Sequence, residues 1–197
     1  LVGKGYKSEG AEAAQKLGRQ LVSGDKKDKR IESWLTFFRQ HPKARIYCFR
    51  GGLRSQIAQQ WLAEAGLQTE RLAGGYKAAR NFFLEQLSCF PTQQDFLLIS
   101  GPTGSGKTRL LTEVSRFYPA IDLENLAAHR GSAFGAQWKP QPTQIDFENR
   151  LSLRTLHLED SLRQKSVPLV LEDESRLIGT CVIPDLFFQK LRESPVL

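Results

Sequence analysis

The sequence predicts an α/β protein with two parallel-sheet domains, one over residues 1–90 and one over residues 91–197. Short apolar segments rich in β-formers alternate with helical segments throughout the chain, and in each half a glycine-rich loop joins a strand to a helix. Strands that alternate with helices are typical of a parallel sheet covered by helices. The 197 residues and the 40% hydrophobic content exclude wholesale disorder.

In the first half, apolar periodicity and turn residues define the elements. Helices are expected over residues 11–21, around the periodic positions 31–38, over 55–65, and from Tyr76 to about Leu87, with strands over 44–48 and 68–72. A charge run, Lys26 to Arg30, is expected to precede the second helix. Residues 88–94 contain Pro91 and are predicted to be the linker between the domains.

The second half begins with a buried strand over residues 95–100. Further strands are expected over 120–123 and 168–171, helices over 108–117 and 147–163, and a polar, irregular stretch over 127–143. These strands are too few for a complete nucleotide-binding sheet. The chain also begins at Leu1 and contains no Met, so we expect a piece of a longer protein, with the opening strand of the first domain and the C-terminal part of the second missing.

Composition indicates a cytoplasmic protein without a membrane segment. No apolar run approaches the roughly 20 residues of a membrane helix, and no signal segment opens the chain. Three cysteines form no disulfide framework. Residues 1–90 hold 16 Lys and Arg against 8 Asp and Glu, whereas residues 91–197 hold 12 against 13. Positive charge concentrated in one half favours a polyanionic partner such as nucleic acid, although a merely solvated surface explains it equally well.

The first candidate site is a cysteine loop between a strand and a helix. Cys48 is the predicted nucleophile, and an anion-binding loop is expected from Arg50, Gly51, Gly52 and Arg54. Glycines let successive backbone N–H groups point at an anion, and the following helix adds its positive N-terminus. Nearby cations should lower the pKa of the thiol. The alternative is an inert cysteine at a strand end.

The second candidate site is a P-loop, a glycine-rich loop that binds a phosphate chain. The residues from Gly101 to Thr108 match the complete pattern between a strand and a helix. The predicted phosphate-binding residues are Gly101, Gly104, Ser105, Gly106, Lys107 and Thr108. The pattern alone does not distinguish ATP, GTP or another phosphate ester.

A magnesium ion is expected beside this loop. Thr108 supplies a hydroxyl, and Asp173 follows an apolar strand as the metal-associated acid, with Glu172 as the alternative. An ordinary exposed acidic turn would produce the same pattern. Weaker candidates for substrate contacts are residues 122–124 and 129–132, which follow the neighbouring strand.

Two families use a loop like that around Cys48. The spacing of five residues between Cys48 and Arg54 occurs in cysteine phosphatases. Rhodanese-like sulfurtransferases use a similar loop, commonly one residue shorter. The Gly74-Gly75-Tyr76 segment resembles the ending of rhodanese-like domains, and we therefore interpret the first domain as rhodanese-like.

Taken together, the motifs closely resemble the bacterial tRNA 2-selenouridine synthase family, in which a rhodanese-like domain is fused to a P-loop domain. The resemblance runs from about Leu1 to Pro184, and residues 122–135 and 171–179 are its most specific stretches. It implies replacement of sulfur by selenium in wobble 2-thiouridine of tRNA through an S-geranyl intermediate. The implied substrates are geranyl diphosphate and selenophosphate, the implied partner is tRNA, and an enzyme that supplies selenophosphate is a compatible further partner.

Three other classes stay open at this stage. A sulfurtransferase driven by nucleotide hydrolysis would use both motifs. A phosphatase would use Cys48 as its nucleophile. A non-catalytic tRNA-binding module would use neither motif for chemistry.

Overall fold

The computed structural model describes residues 2–102, 104–129 and 140–197. They form two compact units, Leu1–Ala78 and Ala79–Leu197. Helices and a small parallel sheet are both present, as the α/β class predicts.

The first unit is mostly helical. Its helices are α1 (Val2–Leu21), interrupted at Gly10, α2 (Asp25–Gln40) and α3 (Leu53–Glu64). Helix α2 includes the charge run that was expected to precede it, because Lys and Arg are good helix formers and two aspartates in the first turn favour the helix dipole. Phe38 and Leu62 are buried in this unit, and the rings of Trp34 and Trp61 stack with centroids 6.3 Å apart.

The two strands predicted in this half are reduced to a single parallel bridge between Ile46 and Arg71. The bridge is held by the Ile46 amide donating to the Glu70 carbonyl and by the Leu72 amide donating to the Ile46 carbonyl, both at 2.9 Å. Parallel pairs are stable when buried within a larger sheet, whereas this bridge has no further strand beside it among the described residues.

The predicted linker is wrong. Helix α4 (Gly75–Gln93) continues through it and ends one residue before Gln94. Leu87, Phe90 and Pro91 are buried, and the Phe90 ring stacks on Phe187 with centroids 6.4 Å apart. Burial of these side chains outweighs the local effect of one proline near the helix end. The compact units divide earlier in the same helix, after Ala78, rather than at residue 90.

The second unit is built on a three-stranded parallel sheet. Its strands β1 (Phe96–Ile99), β2 (Ala120–Ile121) and β3 (Leu169–Glu172) lie in the order β1-β3-β2, with Ile99 opposite Glu172. The helices are α5 (Lys107–Val114), α6 (Leu123–Leu126), α7 (Gln144–Lys165) and α8 (Asp185–Glu193), and a hairpin pairs β4 (Leu177–Ile178) with β5 (Cys181–Val182). Each parallel strand therefore ends at the same edge of the sheet, where ligands of such folds bind.

The core of this unit lies around the sheet. Phe96, Phe147 and Phe187 are fully buried, as are Leu169 and Leu171 on the central strand. In the part of the chain that the structure describes, no helix is both long enough and apolar enough to cross a membrane.

Candidate functional site

The cysteine loop lies between the Ile46 bridge and α3. Helix α3 begins at Leu53, directly after Gly52, so its N-terminus faces the loop. The loop is held from the far side by the start of α4, where the amides of Tyr76 and Lys77 donate to the carbonyls of Cys48 and Phe49 at 3.0 and 2.9 Å. These amides belong to a helix N-terminus and have no partner within their own helix.

The packing between this loop and the Gly74-Gly75 pair excludes side chains. Gly75 has φ +64°, and a Cβ atom there would lie 2.0 Å from the Cys48 carbonyl oxygen and 2.3 Å from the Gly51 amide nitrogen. A Cβ atom on Gly51, at φ +67°, would lie 2.9 Å from the amide nitrogens of both Gly74 and Gly75. Only glycine satisfies both the backbone angle and the contact at these positions.

The thiol of Cys48 is half-buried and contacts Ser55 on the first turn of α3. Its Sγ lies 3.3 Å from Ser55 Oγ. The Ser55 hydroxyl lowers the pKa of the Cys48 thiol to about 7, against the opposing effect of burial and with help from the amides of Ser55, Arg50 and Gly52. The lowered pKa agrees with the sequence prediction, but its leading cause is Ser55 rather than the charges of Arg50 and Arg54.

The Ser55 hydroxyl has two acceptors for one proton. It donates to the Gly52 carbonyl at 2.9 Å, and it is also close enough to donate to the sulfur. When the thiol ionises, the serine proton is available to the new charge, and a hydrogen bond to a charged group is about twice as strong as a neutral one. Ser55 is 2% exposed, so water does not compete for its hydroxyl proton.

A cavity of about 400 Å³ opens at the loop. Its lining consists of Cys48, Phe49, Arg50, Gly52, Leu53 and Arg54. The structure thus brings together the predicted nucleophile and three of the four predicted anion-binding residues. Arg71, which the sequence analysis missed, supports the fourth: its guanidinium donates to the Gly51 carbonyl at 3.1 Å and to Gln59 Oε1 at 2.7 Å.

The P-loop follows β1 and leads into α5, the strand–loop–helix context that the sequence predicts. Gly106 has the left-handed φ of +89° and precedes Lys107, the first residue of α5. The Lys107 ammonium donates to the Gly101 carbonyl at 2.5 Å and to the Pro102 carbonyl at 3.4 Å. Ser105, Gly104 and Thr108 are exposed along the same loop and first helical turn. A phosphate group is the ligand that such a loop and helix N-terminus bind.

Asp173 lies at the end of β3 beside this loop. Its Oδ2 accepts from the Ser100 hydroxyl at 2.9 Å, and its Oδ1 accepts from Arg192 on α8. Burial opposes ionisation, but the hydrogen bonds from Arg192 and Ser100, with the charges of Arg192 and Lys107, hold the pKa of Asp173 below its usual range. Asp173 is therefore a carboxylate at neutral pH.

Glu172, the alternative metal-associated acid, has the opposite character. Burial raises the pKa of Glu172 to about 8, despite the amide of Glu124 that donates to its Oε1 at 2.8 Å. It is 1% exposed, and its Oε2 has no partner in the described structure. Burial, followed by the carboxylate of Glu124, also raises the pKa of Glu174, to about 7. Ionisation therefore favours Asp173 over Glu172 as a ligand of a cation.

The donor chemistry at this edge fits Mg²⁺. In P-loop sites Mg²⁺ typically takes one or two protein oxygens and completes its shell with waters and substrate phosphates. The hydroxyl of Thr108 and the ionised carboxylate of Asp173 are such donors. Within the described ranges, no group of three or more His, Cys, Asp or Glu is arranged to hold a metal by protein ligands alone.

The weaker candidates have mainly structural contacts. Asp122 caps α6 by accepting from the Asn125 amide at 2.7 Å. His129 has a buried Nδ1 without a partner in the described structure, and residues 130–132 lie outside the described residues. Cys181 is fully buried, which raises the pKa of its thiol, and Cys89 is exposed.

Comparison with known proteins gives one consistent result. Residues 94–197 match a family model described as the tRNA 2-selenouridine synthase AAA domain. Over 197 residues the chain is 51% identical to a tRNA 2-selenouridine synthase of Nitrosomonas europaea. Over 196 residues it is 54% identical to a tRNA 2-selenouridine synthase of Bdellovibrio bacteriovorus. Each alignment covers all of this chain and 51% of the relative.

A tRNA 2-selenouridine synthase of Pseudomonas fluorescens is 47% identical over 199 residues, with 99% of this chain and 52% of the relative aligned. The chain thus spans about half the length of the curated relatives it matches. No solved structure matches it.

Proposed function

The chain belongs to the tRNA 2-selenouridine synthase family, and on this basis we propose that it performs the family's reaction, the replacement of sulfur by selenium in wobble 2-thiouridine of tRNA. The observation that carries the proposal is the cysteine loop, in which Ser55 lowers the pKa of Cys48 to about 7 beside a cavity lined by two arginines. Such a loop suits a reactive chalcogen donor that carries negative charge. The first unit is accordingly proposed to be rhodanese-like.

The P-loop is proposed to bind the diphosphate of geranyl diphosphate. In the first step the thiocarbonyl sulfur of the base attacks the allylic carbon, the carbon–oxygen bond breaks, and pyrophosphate leaves with its electron pair. The base loses its N3 proton and becomes the S-geranyl form. Lys107 and the loop amides from Gly104 to Thr108 would hold the diphosphate and stabilise the charge that develops on it.

Bound Mg²⁺ would supply further positive charge to the diphosphate oxygens. Thr108 and Asp173 are the residues proposed to hold it. Arg192 and Ser100 keep Asp173 ionised and oriented for this role.

The cysteine loop is proposed to bind selenophosphate for the second step. The selenium of selenophosphate adds to C2 of the S-geranyl base, the bond between C2 and sulfur breaks, and geranyl thiol leaves. The alkylated sulfur is a much better leaving group than a thiocarbonyl sulfur. Water takes the phosphoryl group of selenophosphate as phosphate. Arg50 and Arg54 would bind the phosphoryl oxygens in a charge-assisted contact.

The basic first half of the chain is proposed to contact tRNA. Its excess of eight positive charges suits the phosphate backbone, through release of counterions. The reaction would then take place in the cytoplasm with its tRNA substrate, and an enzyme that makes selenophosphate would supply the donor.

The test is nucleoside mass spectrometry of bulk tRNA from selenium-fed bacteria that lack this activity. They would be complemented with the gene that encodes this sequence, either unchanged or carrying Cys48→Ser or Lys107→Ala. We expect selenouridine only with the unchanged gene, S-geranyl-2-thiouridine to accumulate with Cys48→Ser, and neither nucleoside with Lys107→Ala.

Cys89→Ser is the matched control, because Cys89 is an exposed thiol without glycine-rich surroundings. It should behave as the unchanged protein. Absence of both modified nucleosides with well-folded, unchanged protein would contradict the selenium proposal. A nucleotide-dependent sulfurtransferase would then be the leading function, recognised by ATP turnover that is lost in Lys107→Ala.

A further inference from the structure

Two large apolar side chains at the cysteine loop have no role in the scheme above. Phe49 is 54% exposed and Leu53 is 41% exposed. Both line the cavity that contains Cys48, Arg50 and Arg54. An exposed aromatic ring directly after a reactive thiol therefore lines the same cavity as the two arginines, and an anion alone would leave this ring without a ligand contact.

The position of Phe49 is fixed by its backbone. Its carbonyl accepts the Lys77 amide at 2.9 Å, and the preceding carbonyl accepts the Tyr76 amide at 3.0 Å. The Phe49 ring also contacts the Tyr76 ring, with centroids 6.3 Å apart and planes inclined by 36°. The ring is thus held against the start of α4 while the residue stays 54% exposed.

The cavity provides two guanidinium groups for the phosphoryl oxygens of selenophosphate and, beside them, an exposed aromatic ring. Arg50 and Arg54 are exposed, and neither takes part in an ion pair among the described residues. An exposed aromatic ring is a usual means of binding an unpaired nucleotide, whose base stacks on the face of the ring. A cavity of about 400 Å³ is at the lower end of ligand pockets, and it has room for one base beside the phosphoryl group of the donor.

We propose that Phe49 stacks on the wobble base of the tRNA, with Leu53 completing the apolar wall, and so orients the C2 atom of the base towards Cys48. This inference rests on the proposed function and assigns a positioning residue to it. A prenyl chain is a poorer partner for the Phe49 ring than a base is, since it has no planar ring that could stack on the phenyl group.

The test is a double-mutant cycle on binding, using the unchanged protein and Phe49→Ala. The two probes are an anticodon stem-loop RNA with 2-thiouridine at the wobble position and the same RNA with an abasic wobble site. We expect Phe49→Ala to weaken binding of the thiouridine RNA about 5- to 150-fold and to leave binding of the abasic RNA unchanged, because stacking acts only on a base.

Two further variants separate stacking from structure. Phe49→Trp keeps an aromatic face and should retain the affinity for the thiouridine RNA. Phe117→Ala removes a phenylalanine of the second unit that is 70% exposed, and it should change neither affinity. The salt dependence of binding should be the same with and without Phe49, since the ring carries no charge.

Several outcomes would overturn the stacking role. They are an equal loss of affinity for both RNAs in Phe49→Ala, a changed pKa of the Cys48 thiol in that variant, and no binding of either RNA by the unchanged protein. Failure of the proposed function is distinct: the cycle would show the expected coupling, but no selenouridine would form in the complemented cells.

Discussion

Replacing Ser55 by alanine should weaken the reactivity of Cys48 without displacing it. The hydroxyl lies 3.3 Å from the sulfur and is the leading cause of the thiol's lowered pKa of about 7. Alanine removes the donor and leaves a side chain of nearly the same size in a site that is 2% exposed. The amides of Ser55, Arg50 and Gly52 are backbone groups and remain in place.

The size of the effect follows from one hydrogen bond to a charged group, worth about 1.5–3 kcal/mol. At about 1.4 kcal/mol per pKa unit, the pKa of Cys48 should rise by about one to two units. At pH 7 the thiolate fraction would then fall from about one half to at most about one tenth. Alkylation at pH 7 should slow by less than the thiolate fraction, about two- to sixfold, because the more basic thiolate is also more nucleophilic.

The assay is the pH dependence of iodoacetamide alkylation, followed by mass spectrometry of the tryptic peptide 46–50. The Ser55→Ala protein should react more slowly below about pH 7, and its deficit should disappear as the pH rises to ~9.5, where both thiols are largely ionised. Alkylation of exposed Cys89 in the same samples provides the reference rate. A Ser55→Ala protein whose midpoint stays near pH 7 would refute the role of the hydroxyl and assign the low pKa to the loop amides.

Three further predictions test the packing and the second site. Gly75→Ala should lower the free energy of unfolding of the first unit in urea by about 2–4 kcal/mol and raise the pKa of Cys48, because the new Cβ would lie 2.0 Å from the Cys48 carbonyl oxygen. Gly66→Ala is the control, because Gly66 also has a positive φ (+86°) but has no atom within 4 Å of the added Cβ. It should lower the free energy of unfolding by only about 1 kcal/mol. Equal costs would show that the loop adapts to a methyl group. Phe90→Ala should cost about 3–4 kcal/mol, since Phe90 packs on Phe96 and Phe187. A loss below about 1 kcal/mol would show that these ring contacts do not stabilise this end of α4. Lys107→Ala should abolish the binding of Mg²⁺–pyrophosphate measured by calorimetry and leave the thermal unfolding temperature unchanged. The control Lys165→Ala, on α7, should bind as the unchanged protein does. Retained binding in Lys107→Ala would contradict the proposed role of the P-loop.

The elements that the sequence predicts well are those set by local patterns. The strand before the P-loop, the helix after it and the long helix α7 occur within a few residues of their expected ends, because apolar periodicity and glycine punctuation act over neighbouring residues. The failures depend on distant contacts. Pro91 indicates a linker locally, but burial of Leu87 and Phe90 keeps the helix intact.

The same division applies to the candidate sites. Cys48 and Lys107 are found by motif, because their neighbours in sequence are also their neighbours in space. Arg71 and Arg192 are missed, since they reach Gly51 and Asp173 across 20 and 19 residues with no local signal. Ser55 was within reach of sequence reasoning, because it stands next to Arg54 on the first turn of the helix that follows the loop.

The contact at Gly75 has a consequence for how this protein can vary. Every single-base change of a glycine codon that alters the residue gives a stop codon or a side chain with a Cβ atom. At this position any Cβ atom meets the Cys48 carbonyl oxygen and the Gly51 amide nitrogen. No single-base substitution at position 75 therefore leaves this contact intact. A substitution there would persist only together with a compensating rearrangement of the loop that lies 24 to 27 residues earlier in the chain.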